Sequence, residues 1–80
     1  MDSRQKLKRM VNELMDMQTD AMYVYIHVYR DDVDAEFFSP EVGIGVARKL
    51  EWDSFYPTVE EMVEELDRVV SIHRKLKENR

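Results

Sequence analysis

The chain has 80 residues, no cysteine and a net charge of −5, so it has room for one domain and no disulfide to stabilise it. With two histidines and no thiols it lacks the usual ligand set of a structural zinc site, and we expect neither a metal nor a cofactor. A domain this small buries a modest share of its surface. The composition therefore predicts extra stability from a homodimer or higher oligomer.

The longest mostly apolar run, residues 21–29, is too short to span a bilayer as a helix. The first residues contain no apolar signal segment. Together with the absence of cysteine, these features predict a cytoplasmic protein that does not engage membranes.

The first segment of the chain follows a helical period. Its apolar side chains recur every three or four residues and form one stripe, made of Leu7, Met10, Val11, Leu14 and Met17. Asp2 and Gln5 have the spacing of a capping box at the start of this stripe. The pattern predicts a helix over about residues 3–19.

From residue 21 the period changes from 3.6 to 2, and the segment is dense in β-branched and aromatic residues. This predicts a strand over about residues 21–30. One face of that strand is aliphatic. The other face carries Tyr23, Tyr25, His27 and Tyr29.

The rest of the chain continues the sheet and ends in a helix. An aspartate-rich turn leads to a second strand over about 34–39, and a third is predicted over about 42–50. Residues 50–52 either extend the third strand or start a short fourth one. Thr58 and Glu61 have capping-box spacing, which predicts a helix over about 58–78.

The predicted order α-β-β-β-α indicates one α+β domain over residues 1–80. The economical architecture has two layers, with both helices on one face of an antiparallel sheet of three or four strands. The row of Tyr23, Tyr25, His27 and Tyr29 then lies on the face without helices. Because tyrosine is enriched at interfaces, the row predicts contact with further copies of the chain or with a partner protein or ligand. Plain cross-strand pairing of the rings is the alternative.

A second candidate site combines cations with aromatic side chains near the end of the third strand. Its members are Arg30, Arg48, Trp52, Phe55 and Tyr56. Cations beside aromatic rings suit a small anionic ligand such as a signalling nucleotide. Ordinary solvation of strand ends is the alternative reading.

A third candidate is the acidic surface of the last helix, formed by Glu60, Glu61, Glu64 and Glu65. A row of carboxylates can mimic a nucleic-acid backbone and occupy a basic protein, a strategy that small acidic inhibitors of phage origin use. Glutamates near a helix N-terminus are also favourable without any such role, because they interact with the helix dipole.

The order α-β-β-β-α resembles that of the double-stranded-RNA-binding domain, in topology alone. That family meets phosphates with lysines at the start of its second helix, where this chain has glutamates. Residues 21–57 also carry seven acidic and three basic side chains, which disfavours a phosphate-backbone footprint. We therefore do not expect direct binding of nucleic acid.

No catalytic set is apparent in the sequence. There is no thiol, no serine with an implied base, and no glycine-rich phosphate loop. Asp32, Asp34 and Glu36 have part of the spacing of a calcium loop but lack its glycine and distal glutamate. The sequence predicts a non-enzymatic binding or inhibitor protein.

Overall fold

The computed structural model describes residues 1–79 and has the predicted order of elements. They are α1 (Ser3–Asp16), β1 (Tyr23–Val28), β2 (Val33–Ser39), β3 (Ile44–Leu50), a 3₁₀ turn (Trp52–Ser54) and α2 (Phe55–Glu78). The strands form one antiparallel sheet in the order β1-β2-β3. The two-layer α+β prediction is confirmed, with three strands and not four in the described part of the chain, because Trp52 begins the 3₁₀ turn.

The core lies between one face of the sheet and the two helices. On the central strand β2, Val33, Ala35 and Phe37 are at most 2% exposed. They alternate with half-buried residues because successive side chains of a strand point to opposite faces. The helices cover them with Met10, Leu14, Phe55, Met62 and Leu66.

Helix α1 begins with the predicted capping box. The backbone N–H of Gln5 donates to Asp2 Oδ1 at 2.9 Å, and the Asp2 N–H donates to Gln5 Oε1 at 3.3 Å. The helix ends at Asp16, earlier than the periodicity predicts. Shortly after this end, the Thr19 hydroxyl accepts hydrogen bonds from the N–H groups of Ala21 and Met22, which turns the chain toward β1.

Helix α2 begins at Phe55, so the predicted start with Thr58 as its N-cap is wrong. The Phe55 side chain is 2% exposed and packs in the core. This packing fixes the first helical turn at Phe55, three residues before Thr58. Pro57 is accommodated in that turn because the first N–H groups of a helix have no intrahelical partner.

The turn between β2 and β3 explains why β3 starts later than predicted. The N–H of Gly43 donates to the carbonyl of Ser39 at 2.8 Å, and Gly43 has a φ of +72°. This left-handed conformation suits glycine and interrupts the extended backbone. Strand β3 therefore begins at Ile44.

Within residues 1–79, no helix has both the length and the apolar character needed to cross a membrane.

Candidate functional site

The sheet face opposite the helices is open and carries three rows of side chains, one from each strand. The alternation and register of the strands place there Tyr23, Tyr25 and His27 from β1, Asp34, Glu36 and Phe38 from β2, and Gly45, Ala47 and Lys49 from β3. Tyr29 follows the end of β1, with its ring centroid 6.4 Å from that of His27. We call this surface the open face.

The predicted aromatic row is exposed on the open face. Tyr23, Tyr25 and Tyr29 are 37%, 53% and 51% exposed. Tyr25 also meets Phe38 edge to face, with ring centroids 6.2 Å apart. Phe38 was not predicted on this surface, although only one of the adjacent residues Phe37 and Phe38 can face the helices. The open face therefore has a wider aromatic area than the β1 row alone.

Carboxylates lie beside these rings. In the β1–β2 register Tyr25 is opposite Glu36, and His27 is opposite Asp34. The Glu36 carboxylate extends over Gly45, so that a Cβ at this glycine would lie 2.5 Å from Glu36 Oε2. The glycine thus makes room for the acidic side chain.

Glu36 also lines a shallow depression of about 480 Å³ with Tyr25, His27, Asp34 and Ala47. Among residues 1–79, no side chain forms an ion pair or hydrogen bond with the Glu36 carboxylate. The half-buried Glu36, between the aromatic row of β1 and the small residues of β3, is therefore available to a ligand.

The hairpin end of the open face is better balanced in charge. Lys49 Nζ lies 3.0 Å from Asp32 Oδ2, and this contact raises the pKa of the lysine. The nearby negative charge of Asp34, followed by a hydrogen bond to the same carboxylate, raises the pKa of Tyr29. Glu36 lacks such a neighbour, so the uncompensated negative charge lies nearer the middle of the face.

The structure does not bring the five residues of the second candidate site together. Phe55 is buried in the core. Arg48 lies on the helix side of β3, where its guanidinium is 3.5 Å from Glu61 and 3.3 Å from Glu65. Arg30 lies in the turn between β1 and β2.

Trp52 and Tyr56, the remaining members of that set, connect α1 to the start of α2. The guanidinium carbon of Arg9 lies 5.7 Å from the centroid of the Trp52 ring. The Tyr56 hydroxyl donates to Glu13 Oε1 at 2.7 Å, and this hydrogen bond raises the pKa of the tyrosine. Both aromatic side chains therefore have contacts that hold the helices together.

The acidic surface of α2 is partly neutralised. Glu61 and Glu65 share the cation of Arg48, and Arg68 lies beside Glu64 on the same surface. Glu60 is exposed and is not among the described ion pairs. Three of the four glutamates thus share a surface with two arginines and do not form an unbroken anionic row.

No group of three or more histidine, aspartate or glutamate side chains in the described range 1–79 is arranged to hold a metal ion. Comparisons with models of known protein families, with curated protein sequences and with solved structures found no match to this chain.

Proposed function

We propose that this chain is a non-enzymatic binding protein of the inhibitor type that captures a cationic segment of a partner protein on its open face. The observation that supports this proposal is Glu36, whose carboxylate has no ion-pair partner among the described residues and which lines one depression with Tyr25 and His27.

The chemistry of this surface suits an arginine or a lysine. A guanidinium stacks on the face of a tyrosine and donates paired hydrogen bonds to a carboxylate. Tyr25 and Glu36 are opposite each other on adjacent strands, so one cationic side chain can contact both. The net charge of −5 adds attraction between the whole molecule and a basic partner.

The same carboxylates disfavour pairing of two open faces, which was one expectation for the tyrosine row. Each copy contributes Asp34 and Glu36 but only one cation, Lys49. A face-to-face dimer would therefore bury four carboxylates with two lysines. Burying charge without a partner is costly, so the open face fits a basic partner better than a copy of itself.

The test is a titration of isotope-labelled protein with peptides that carry one arginine. Binding is monitored by the NMR chemical shifts of the backbone amides. Matched peptides with the neutral isostere citrulline are the reference. We expect shifts at Tyr25, Glu36 and Ala47 with the arginine peptides only. Glu36→Gln should weaken binding about tenfold or more, because it removes a charged hydrogen-bond acceptor.

Glu60→Gln is the matched control, since it removes one carboxylate from the exposed surface of α2 and leaves the open face unchanged. Its affinity should equal that of the wild type. Shifts confined to α2, or equal binding of arginine and citrulline peptides, would contradict the proposal.

A further inference from the structure

Strand β1 is an edge of the sheet and lacks the charged residues and prolines that commonly keep an edge from pairing. Its sequence, Tyr23–Val28, has no charged residue, no proline and no glycine. Natural edge strands are commonly protected by lysine, proline or bulges. The opposite edge, β3, has such protection in Arg48 and Lys49.

Some backbone groups of β1 point away from β2, at the free edge of the sheet. The hydrogen bonds around the strand show which groups these are. The N–H of Val24 donates outward to Gln18 Oε1 at 3.0 Å, whereas the N–H of Tyr29 donates inward to the carbonyl of Asp32. By the alternation of an antiparallel ladder, the N–H and C=O groups of Ile26 and Val28 also point outward. The described residues 1–79 give these four groups no partner.

An antiparallel copy of β1 provides partners for all four groups in one register. If the two-fold axis passes beside His27, Ile26 of one copy is opposite Val28 of the other, and the two residues exchange both of their backbone hydrogen bonds. The bond from Val24 to Gln18 stays intact. Tyr25 is then opposite Tyr29 of the second copy. Since β1 contains no charged residue, the pairing of the two strands brings no like charges together.

The side chains of the helix-facing side fit the same register. Val28 is 55% exposed and borders a notch of about 360 Å³ between β1 and α1, lined also by Leu7 and Val11. Pairing places Ile26 of the second copy beside Val28, so it covers apolar surface that a single copy leaves in water.

We infer that the protein forms a homodimer in which two β1 strands pair antiparallel about His27 and join the two sheets into one of six strands. Pairing brings Tyr25, His27 and Tyr29 of both copies together on one side of the joined sheet. This inference rests on the β1 edge and does not depend on what the open face binds.

The experiment combines sedimentation with cysteine cross-linking in the full chain, which contains no cysteine of its own. Sedimentation over about a hundredfold range of concentration should show a monomer–dimer equilibrium. In His27→Cys the two introduced thiols are directly opposite across the axis, at a non-hydrogen-bonded pair whose Cα spacing suits a disulfide. We expect this variant to cross-link on oxidation. Tyr25→Cys should not, since its two copies lie on opposite sides of the axis.

A disruptive variant completes the test. His27→Lys places two positive charges opposite each other and should raise the dimer dissociation constant about fivefold or more, whereas the neutral His27→Gln should leave the dimer in place. His27 is exposed, so neither change disturbs the core. A monomer at every concentration would overturn the inference, and so would a dimer that cross-links through Glu36→Cys but not through His27→Cys.

Discussion

At the scale of single residues, the two glycines near the β2–β3 turn have different physical roles. Gly43 has positive φ and open space where a Cβ would lie. Gly45 has ordinary strand geometry, but the Glu36 carboxylate occupies the place of its missing Cβ. The backbone conformation thus favours glycine at Gly43, whereas the position of a neighbouring side chain favours it at Gly45.

This difference predicts opposite effects of alanine at the two positions. Gly43→Ala should cost roughly 1–2 kcal/mol of the free energy of unfolding, because alanine is strained in the left-handed region. Gly45→Ala should change stability by less than about 0.5 kcal/mol, because the flexible Glu36 side chain can move away. Urea denaturation measures both values.

The same substitution at Gly45 also moves the Glu36 carboxylate, so it should weaken binding of the arginine peptides while the protein stays folded. Gly43→Ala serves as its control, since it leaves Glu36 in position. Equal stability losses in the two variants, or unchanged peptide affinity in Gly45→Ala, would contradict this account of the two glycines.

Residue alternation explains which members of the candidate sites were predictable. The period of two in β1 correctly grouped Tyr23, Tyr25 and His27 on one face. The same alternation puts Arg48 on the side of Val46 and Leu50, which face the core, so the sequence contained a signal that Arg48 lies on the helix side. Proximity in sequence to Trp52 was a poorer guide than this alternation.

At the scale of elements, α2 is longer than the sheet that it covers. Its 24 residues span about 36 Å, whereas a seven-residue strand spans about 23 Å. The last turns therefore project beyond the core, and Ile72 and Leu76 are 51% and 59% exposed. Arg74 holds this segment to the sheet by donating to Glu41 in the β2–β3 turn, with distances of 2.6 and 2.7 Å.

The ion pair between Arg74 and Glu41 predicts a loss of order at the end of α2 in acid. The hydrogen bond from Arg74 holds the pKa of Glu41 below its ordinary value of 4.5. A carboxylate with a lowered folded pKa stabilises the fold fully above that ordinary value and loses its effect as pH falls through the folded pKa. Amide hydrogen exchange at Ser71 and Lys75 should therefore accelerate below pH 4.5, relative to Leu66.

Arg74→Gln is the control for this prediction. It removes the cation, so amide exchange at the end of α2, relative to Leu66, should be fast at all pH values. The acceleration below pH 4.5, the acid step, should be absent. An acid step of the same size in wild type and Arg74→Gln would show that another carboxylate is responsible.

The ends of the elements were less predictable than their existence. Periodicity identified both helices and all three strands, because an amphipathic pattern extends over many residues. The start of α2 depends on burial of Phe55, and the start of β3 depends on the φ of Gly43. Burial of Phe55 is a consequence of tertiary packing that a local pattern does not contain. The positive φ of Gly43 belongs to a local turn, which the alternation of side chains does not reveal.

At the scale of the whole molecule, the open face is defined by the pairing of strands that are distant in sequence. Tyr25 and Glu36 become neighbours only through the β1–β2 register, and Glu36 reaches Gly45 only because β3 follows β2 in the sheet. The alternation within β1 therefore predicted the aromatic row without the carboxylate that gives it a chemical preference. Self-association was predicted from the small size of the chain and from the tyrosine row, and not from the β1 edge that we infer to carry it.

The overall charge predicts how salt affects capture of a basic partner. A molecule with a net charge of −5 attracts cations over about the Debye length, roughly 10 Å at 0.1 M salt. Raising the salt concentration should therefore lower the association rate of an arginine peptide more than it raises the dissociation rate. Once bound, the guanidinium is partly shielded between Tyr25 and Glu36, and salt screens this contact less. Glu36→Gln should dissociate faster than the wild type, with a similar dependence of its association rate on salt. Surface-immobilised peptide and stopped-flow measurements separate the two rates. A salt effect confined to dissociation in the wild type would mean that local contacts, and not the field of the whole molecule, govern the encounter.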